Sequence, residues 1–568
     1  MGSTTFNAGS NANWHDGSNW TNGVPTSGDF ATIDADCVID NTAGECIQLT
    51  ITSGSELDCN DQDLTVIRAT FITGSLLCKS GEMSFRKADI SGTAATWAVT
   101  IAAAGVYDGG TGLHTIGSLS LSSGEMKLTT GITDFNGTDG GHPYSALIYA
   151  GSNFDPNGGT VRFSGPIAKC YIEKDLHNVE FSGATGNGIR LERFGQVSGT
   201  LNVIGGEFIA ESYGNNIGVT GITTISSGST FTLASGTSGV PNFTGTDYIS
   251  NVGTFNMSSS SVTAGGFLTR TGGVTNLTTD VLTLTEESGS YVMTDDGTYH
   301  HNSGTVHIDW NTGGTDGTTV LDMNTSHLYN LIIEMNSSSY ETKWYNKLQV
   351  DNDLTINRGV CRADTSSPVS ATISGSLIID NEGTFGATGT TETITMGNLN
   401  MMSGSALVLA SGTTTVTNNG SNATGRTWFT RTNGSNPGPR TLTVPSGSML
   451  MLPGGGTIEF DNSNYFYNIT CSGTFSTKNS SLNIDNDFRC NGWSPNGNTG
   501  YHFTVGNDFT KIGSSTFNSI DTGSNWTVSG NMIIESGNID VHGRSATTPG
   551  DVNLKLYGNF INKGGEII

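Results

Sequence analysis

The chain has 568 residues and a formal net charge of −26, from 24 lysines and arginines against 50 aspartates and glutamates. This balance argues against non-specific binding to nucleic acid or to an anionic membrane. Only 13% of the residues are charged, 79 are glycine, and the apolar residues alternate in short runs such as Leu49-Thr50-Ile51. Many turn formers and period-two alternation predict an all-β protein.

The N-terminal segment contains two Asn-Trp pairs, at Asn13-Trp14 and Asn19-Trp20, followed by the first strand pattern at Ala31-Thr32-Ile33. We interpret residues 1–30 as a cap, because the first coil of a solenoid has an open apolar end that Trp14 and Trp20 can cover. A sugar-binding aromatic platform is the alternative. The first residues lack a basic and apolar leader, and the longest apolar run, 97–107, is too short to span a bilayer.

A short motif recurs along the chain: Gly, then Ser, Thr or Asn, then Leu, Met or Phe, with a second Gly seven positions after the first. Its copies are Gly74, Leu76 and Gly81; Gly117, Leu119 and Gly124; Gly199, Leu201 and Gly206; Gly397, Leu399 and Gly404; Gly447, Met449 and Gly454; Gly530, Met532 and Gly537; and Gly558, Phe560 and Gly565. The glycines turn the backbone, and one short strand fits between them. The repeat predicts a right-handed parallel β-helix, a β-solenoid, with each Leu, Met or Phe pointing inward. A set of β-sandwiches joined by hairpins is the alternative.

A larger three-part unit occurs three times with constant order. Its first part stands at 159–163, 304–308 and 456–460, its second contains Asn178, Asn330 and Asn468, and its third stands at 200–203, 353–356 and 487–490. Constant order with variable gaps is typical of solenoid coils. We expect the three asparagines at equivalent turns, with hydrogen-bonded amides. We place a first solenoid region at 31–290, with an excursion near 130–158, and a second at 291–568.

This pattern resembles the repeats of large extracellular β-helix proteins, namely phage tail fibres and spikes, other virion proteins and secreted bacterial adhesins. The segment 13–29 is similar to the start of such surface proteins, and the resemblance extends over most of 13–568. It implies an architecture rather than an activity, because such solenoids carry unrelated functions.

Three Asn-Asp turns, ending at Asp353, Asp487 and Asp508, stand in the same frame before a strand. We interpret them as turns rather than as metal or catalytic sites, because an enzyme site is not expected as a repeated frame. The group Asp58, Asp61 and Asp63 is a candidate calcium site, although it lacks the EF-hand spacing.

Two further groups have chemistry to consider. The pair His300-His301 is interpreted as an ordinary loop, because adjacent side chains in a strand point to opposite faces. The carboxylates Glu286-Glu287, Asp295-Asp296, Asp309 and Glu334 show no pattern that pairs them, yet partners of a glycosidase or lyase would meet across coils. We therefore predict no catalytic residue, no metal and no cofactor, and we leave enzymatic activity open.

Eight cysteines stand at positions 37, 46, 59, 78, 170, 361, 471 and 490 without any C-x-x-C pair. We interpret them as packed thiols, with Cys37–Cys46 or Cys46–Cys59 disulfides as alternatives. The chain ends in Glu566-Ile567-Ile568 without a capping pattern, so we expect this end to pack on another chain or to continue beyond Ile568.

The expected function is that of a structural virion protein, a tail fibre, spike or similar surface appendage, located at the virion surface. Its expected partners are itself, as a homo-oligomer such as a trimer, other virion proteins, and host-surface polysaccharide, with neither nucleic acid nor membrane insertion. A secreted bacterial adhesin or surface filament is the alternative, and a polysaccharide-degrading spike is a third.

Overall fold

The alternating stretches form short strands that stack in parallel as the chain winds through successive coils. In the computed structural model, every strand pairing whose register is described is parallel, and the only helix of the described residues is the 3-10 turn Gly17–Asn19. The predicted all-β parallel solenoid is therefore confirmed, and the β-sandwich alternative is wrong. The helical residues of the described part fall short of the length and apolar character that crossing a membrane requires.

The structure describes the residues that follow. They are 2–9, 12–86, 97–137, 146–165, 169–183, 189–193, 195–211, 216–234, 242–285, 291–310, 317–324, 326–364, 369–380, 382–386, 391–401, 405–410, 412–417, 441–443, 449–452, 456–459, 464–466, 468–478, 482–493, 502–514, 516–518, 525–540 and 553–567.

The chain divides by its internal contacts into two units. The first consists of Met1–Leu282 and Asp296–His300, and the second of Thr283–Asp295 and His301–Ile568. The region boundary that we predict at 290–291 falls inside the segment Thr283–Asp295.

In the first unit the chain passes from sheet to sheet, so that equivalent strands of successive coils become neighbours. The first sheet has 14 strands: Ser3–Phe6, Phe30–Ile33, Gln48–Ile51, Thr70–Ile72, Val99–Ile101, Leu119–Leu121, Ala146–Ile148, Lys169–Ile172, Ile189–Arg193, Glu207–Glu211, Thr230–Ala234, Thr254–Asn256, Val274–Asn276 and Thr298–His300. The second sheet has seven: Ala12–Asn13, Cys37–Val38, Glu56–Asp58, Ser75–Leu77, Val106–Asp108, Glu125–Lys127 and Asn153–Asp155.

Two further ladders complete the first unit. The third sheet contains Gly44–Cys46, Leu64–Val66, Met83–Phe85, His114–Ile116, Ile132–Phe135, Thr160–Phe163, Asn178–Phe181, Leu201–Val203, Thr223–Ile225, Ile249–Asn251 and Phe267–Thr269. A fourth ladder contains Gln196–Val197, Ile217–Val219, Phe243–Gly245 and Val262–Ala264, and the strand Val281–Leu284 follows at the boundary of the unit.

The second unit continues the same construction with some longer strands. Its described strands are Tyr291–Asp295, Thr305–Trp310, Thr318–Asp322, Asn330–Met335, Glu341–Trp344, Lys347–Val350, Leu354–Ala363, Val369–Ile379, Gly383–Phe385, Thr391–Met401, Ala406–Val408, Thr413–Val416, Thr441–Thr443, Met449–Leu452, Gly456–Glu459, Asn464–Phe466, Asn468–Lys478, Leu482–Ile484, Phe488–Trp493, His502–Val505, Phe509–Lys511, Phe517–Asn518, Asn525–Val528, Met532–Ile534, Gly537–Asp540, Asn553–Leu556, Phe560–Asn562 and Gly565–Ile567.

The prediction of an excursion near 130–158 is wrong for the described part of that stretch. Ile132–Phe135, Ala146–Ile148 and Asn153–Asp155 each add a strand to one of three different sheets. Their Gly, Asp and Pro residues therefore belong to turns between coil strands, which is where such residues are needed.

The short glycine motif marks the start of a strand on any sheet rather than on one face. Leu76 lies on the second sheet, Leu119 on the first and Leu201 on the third, and none of the three side chains has exposed surface. In the second unit Leu399 and Met532 are likewise buried. The side chain of Met449 and the residues Gly404, Gly447 and Gly454 lie outside the described residues.

Phe560 is the exception among the described residues of the motif. It pairs in register with Met532, yet its ring is 44% exposed. It stands on the same column as the inward-pointing Met532, and its ring is left exposed because its strand is paired on one side only. Leu554, Tyr557 and Ile567 of the same coil are also exposed.

The glycines of the motif are required for two different reasons. A Cβ on Gly74 would lie 2.2 Å from the carbonyl oxygen of Ser55 in the preceding coil, so the backbones approach too closely for a side chain. Gly206 and Gly537 have φ angles of 67° and 77°, in the left-handed region that glycine adopts without strain.

The first coil is covered by the N-terminal segment. Trp14 and Trp20 are buried, their rings meet edge to face with centroids 4.9 Å apart, and the Trp20 indole N–H donates to the Trp14 carbonyl. Thr21 N–H donates to the Thr5 carbonyl, so the same segment also satisfies the edge of the first strand. Apolar surface and unpaired backbone groups are thus covered together.

The core of the first unit contains a column of stacked phenylalanines built from two in-register sets, Phe135, Phe163 and Phe181 on the third sheet and Phe208, Phe231 and Phe255 on the first. Its members are Phe135, Phe163, Phe181, Phe208, Phe231, Phe255 and Phe267. All seven rings are buried, and the pair Phe163 and Phe181 shows the arrangement, with centroids 5.2 Å apart and planes inclined by 14°. In-register stacking favours identical residues, because each ring then presents its face to its neighbour.

Replacing Leu201 by Ala should lower the free energy of unfolding by about 2–5 kcal/mol, because a fully buried side chain is lost and the coil cannot collapse to fill the space. Ile204→Ala is the matched control, because Ile204 is 45% exposed and its loss should change stability little. Urea unfolding of both variants measures the difference. Equal effects would show that Leu201 is not a core residue.

Acidification should destabilise the first unit through His114. The imidazole has no exposed surface, its Nδ1 lies 2.6 Å from the Tyr107 hydroxyl, and burial lowers its pKa to about 4 from 6.5. Below about pH 6.5 the His114 imidazole takes up a proton in the unfolded chain but not in the folded chain. The stability that the neutral imidazole gives the folded chain is therefore complete above that pH and is lost as the pH falls towards 4. The loss is roughly 3 kcal/mol.

The variant His114→Gln should flatten this part of the stability–pH curve, and His177→Gln, which removes a partly exposed imidazole, should not. Thermal unfolding between pH 7 and pH 4 compares them. If His114→Gln has the same dependence of stability on pH as the wild type, the loss of stability in acid does not come from His114.

Candidate functional site

The Asn-Asp turns at Asp487 and Asp508 belong to one continuous ladder of side-chain hydrogen bonds in the second unit. Asn468 Oδ1 accepts from Asp487 N, Asp487 Oδ1 from Asp508 N, Asp508 Oδ1 from Asn531 N, and Asn531 Oδ1 from Asn559 N, at 2.7–3.1 Å. We call these five residues the Asx ladder. The side chains of the first four each accept from a backbone N–H of the next coil just before a strand begins, so their role is structural.

In the copies that start at Gly530 and Gly558, the glycine motif occupies the same position of the coil as the Asn-Asp turns. From the second ladder position onward, the preceding residue is Asn, at Asn486 and Asn507, or Gly, at Gly530 and Gly558. A Cβ on Gly530 would lie 2.5 Å from Asp508 Oδ1, whereas Asn507 keeps its side chain and donates from Nδ2 to Asp487 Oδ1 at 2.8 Å. At this position the side-chain oxygen of the preceding coil either needs the space that a glycine leaves or accepts a hydrogen bond from an asparagine amide.

The three asparagines of the larger unit follow this arrangement. Asn178, Asn330 and Asn468 each begin a strand and accept a backbone N–H of the next coil through Oδ1. In the first two copies the three parts are strands of three successive coils stacked in register. The third copy differs, because Gly456–Glu459 pairs with the far end of Asn468–Lys478.

The candidate calcium group Asp58, Asp61 and Asp63 serves turns instead. Asp58 accepts from Asn60 N and pairs with Lys79 at 2.7 Å, Asp61 accepts from Ser80, and Asp63 accepts from Glu82 N. Hydrogen bonds from Ser80 to Asp61 lower the pKa of that carboxyl. These carboxylates are used by the protein's own donors.

One face of the second unit brings together ionisable side chains from three successive coils. They are His301, His307, Asp309, His327, Glu334 and Asp351, and we call them the histidine–carboxylate face. Strands Thr305–Trp310 and Asn330–Met335 pair in register, and Leu354–Ala363 pairs with the second of them. Residues far apart in sequence therefore become neighbours at strand spacing.

At one edge of this face two histidines contact one carboxylate. His301 Nε2 and His327 Nδ1 lie 3.3 Å and 3.5 Å from Asp351 Oδ2. Gln349 Nε2 donates to Asp351 Oδ1, and the His301 ring stacks on Tyr329 with centroids 5.4 Å apart. The three ionisable side chains are 30–41% exposed, so the cluster is open to solvent on one side.

The His301 tautomer follows from its backbone contact. Nδ1 accepts from Ser303 N at 3.0 Å, so the proton of the neutral ring is on Nε2, where it points to Asp351. A ring held in this way offers a donor rather than a lone pair to the cluster. Among the described residues, no group of three His, Cys, Asp or Glu side chains is suited to hold a metal ion.

At the other edge a pair of carboxylates meets across coils. Asp309 and Glu334 are direct partners in the strand register. Glu334 Oε2 accepts from Asn357 Nδ2 at 3.1 Å and lies 3.5 Å from His307 Nε2. One Asp309 oxygen is buried without a hydrogen-bond partner. A carboxylate pair beside an imidazole can exchange protons with a bound hydroxyl group.

The sequence alone does not predict that His327 and Asp351 belong to this face, and it leads us to interpret the pair His300-His301 as a loop. A signal is present, because four of the chain's ten histidines fall between 300 and 327. Composition alone does not show which of them share a face. That depends on coil length, which varies between coils.

Comparison with protein families, with curated proteins and with solved structures finds no match to this chain. The class of protein is therefore defined by the fold, a parallel β-solenoid, and by the geometry of its faces.

The Asx ladder and its counterpart at Asn330 can be tested by paired substitutions. Asn330→Ala should lower the free energy of unfolding by about 1–2 kcal/mol, because Asp353 N and Asn352 Nδ2 lose their shared acceptor. Asn330→Asp retains Oδ1 and should cost much less. Urea unfolding at pH 7 compares the two, and equal losses would show that the acceptor is unimportant.

Proposed function

We propose that this chain is a structural protein of a virion surface appendage, of the tail fibre or tail spike kind, that forms a homo-oligomer and assembles with other virion proteins. The support for this proposal is the all-β solenoid, in which short strands repeat from coil to coil. Repeats of this kind suit an extended surface structure. The resemblance of 13–568 to extracellular β-helix proteins points the same way.

The histidine–carboxylate face is the surface that we assign to host contact, with a host-surface polysaccharide as its ligand. The observation that carries this assignment is the convergence of His301, His327 and Asp351 from separate coils. Sugar hydroxyls both donate and accept hydrogen bonds, so carboxylate oxygens and imidazole N–H groups on one open face suit them. The stacked rings of His301 and Tyr329 add an apolar flank that a pyranose ring can contact.

Binding to immobilised host-surface polysaccharide tests this assignment. Asp351→Ala and Tyr329→Ala should each weaken binding about tenfold or more, because each removes a contact group while leaving the buried core intact. Tyr149→Ala, which removes an exposed ring from the first unit, is the matched control. Wild-type affinity in both face variants would place the binding surface elsewhere.

Location and assembly are tested separately. Antibody labelling under the electron microscope should place the protein on virus particles, and labelling of the bacterial surface instead would favour the adhesin. Light scattering should give the mass of a homo-oligomer, and a monomer at micromolar concentration would contradict that part of the proposal.

Polysaccharide cleavage is a second candidate function, and the register of Asp309 with Glu334 favours it. The two carboxylates are direct partners on adjacent coils, and a pair of Asp or Glu side chains is what acts on a glycosidic bond in most glycosidases. Release of reducing ends from host-surface polysaccharide should then be abolished by Glu334→Gln, with wild-type binding retained. Absence of turnover by the wild type would remove this candidate and leave the structural role unaffected.

A further inference from the structure

The fold changes which cysteines are neighbours. Cys37 lies on the second sheet and Cys46 on the third, where its partner in the next coil is Val66. Neighbours in sequence are thus separated onto different sheets, and the Cys37–Cys46 and Cys46–Cys59 alternatives lose their basis. Residues one coil apart become adjacent instead.

Cys59 and Cys78 occupy the same position of successive coils in the first unit. Cys59 N donates to the Leu77 carbonyl and Cys78 N to the Asp108 carbonyl, both at 2.9 Å, so each follows its strand in the same way. In a parallel ladder this hydrogen bond places Cys59 opposite Cys78. Both side chains are fully buried.

The second unit repeats the arrangement independently. Cys471 and Cys490 are direct partners in the register of strands Asn468–Lys478 and Phe488–Trp493. Within each pair the two cysteines stand nineteen positions apart in sequence, although the pairs belong to different units. Four of the eight cysteines are therefore placed across adjacent coils.

We propose that Cys59–Cys78 and Cys471–Cys490 are sites of disulfide cross-links between coils, formed while the chain folds in the presence of a small disulfide oxidant such as oxidised glutathione. Adjacent strands are about 4.8 Å apart, which is within the range of Cα separations of about 4.4–6.8 Å found in disulfides. The inference does not depend on the proposed function.

The chemistry balances with one molecule of oxidant for each cross-link. The thiolate of one cysteine attacks oxidised glutathione and releases one reduced glutathione, leaving a mixed disulfide. The second cysteine loses its proton, attacks the protein sulfur of that mixed disulfide and releases the second glutathione. Two protein thiols are oxidised, and one glutathione disulfide is reduced to two thiols.

Folding is the step at which this reaction is possible. Burial raises the pKa of the Cys59 and Cys78 thiols well above its usual value, so in the closed core they are protonated and unreactive. Before the coils close, the thiols are exposed and each pair is separated by a short loop. A chain folded under reducing conditions retains packed thiols, and one folded under oxidising conditions gains two cross-links.

The experiment refolds the full chain from denaturant, once with reduced glutathione alone and once in a mixture of reduced and oxidised glutathione. Remaining thiols are alkylated in denaturant, and unreduced peptides are identified by mass spectrometry. The mixture should yield linked peptides 59–78 and 471–490, and should raise the thermal midpoint by roughly 5 °C or more. Cys46 and Cys170, which face Val66 and Ala146, are internal controls and should be alkylated.

Full alkylation of all eight cysteines in soluble, refolded protein would overturn the proposal, and so would links that join Cys37 to Cys46. The double variant Cys59→Ser with Cys471→Ser provides a second measurement. It should abolish the difference in thermal midpoint between the two refolding conditions. If that difference persists in the variant, the cross-links do not cause it.

Discussion

Backbone pairing in parallel register is the constraint on which the rest of this structure depends. Once successive coils are hydrogen-bonded strand to strand, each side chain must suit the residue directly above and below it. The phenylalanine column, the Asx ladder and the two cysteine pairs are three results of that single requirement. In each, the same residue type returns one coil later, because it is compatible with itself or with the backbone donor of its neighbour.

This constraint also explains how function can arise on such a fold. A solenoid has few deep clefts, but its faces align side chains at strand spacing. Asp309 and Glu334 become neighbours through register, and His301 and Asp351 through the stacking of the turns that precede their strands. A contact surface can therefore be changed by substitution on the outer positions, without disturbing the inward-pointing residues that hold the coils together.

The sequence was sufficient to predict the solenoid, because turn glycines and alternating apolar residues carry that information locally. It also predicts that the side chains of Leu76, Leu119 and Leu201 all point inward from their strands. It did not show that Gly530 and Asn507 occupy one equivalent position, since the link between them is a hydrogen bond to the previous coil. The excursion predicted near 130–158 is wrong, because a Gly- and Asp-rich turn between coil strands has the same composition as a long loop.

The candidate site was less predictable than the fold for the same reason. His301 and Asp351 meet because the turns of successive coils stack, and the stacking depends on the length of every intervening turn. The most direct test of in-register stacking measures distances between spin labels attached through non-natural amino acids on one outer column of the third sheet. Ser84, Asn202 and Ser250 lie on that column. The Ser84–Asn202 and Ser84–Ser250 pairs should give about 24 Å and 34 Å, each coil adding about 4.8 Å. Distances that do not grow with the number of coils would contradict the account.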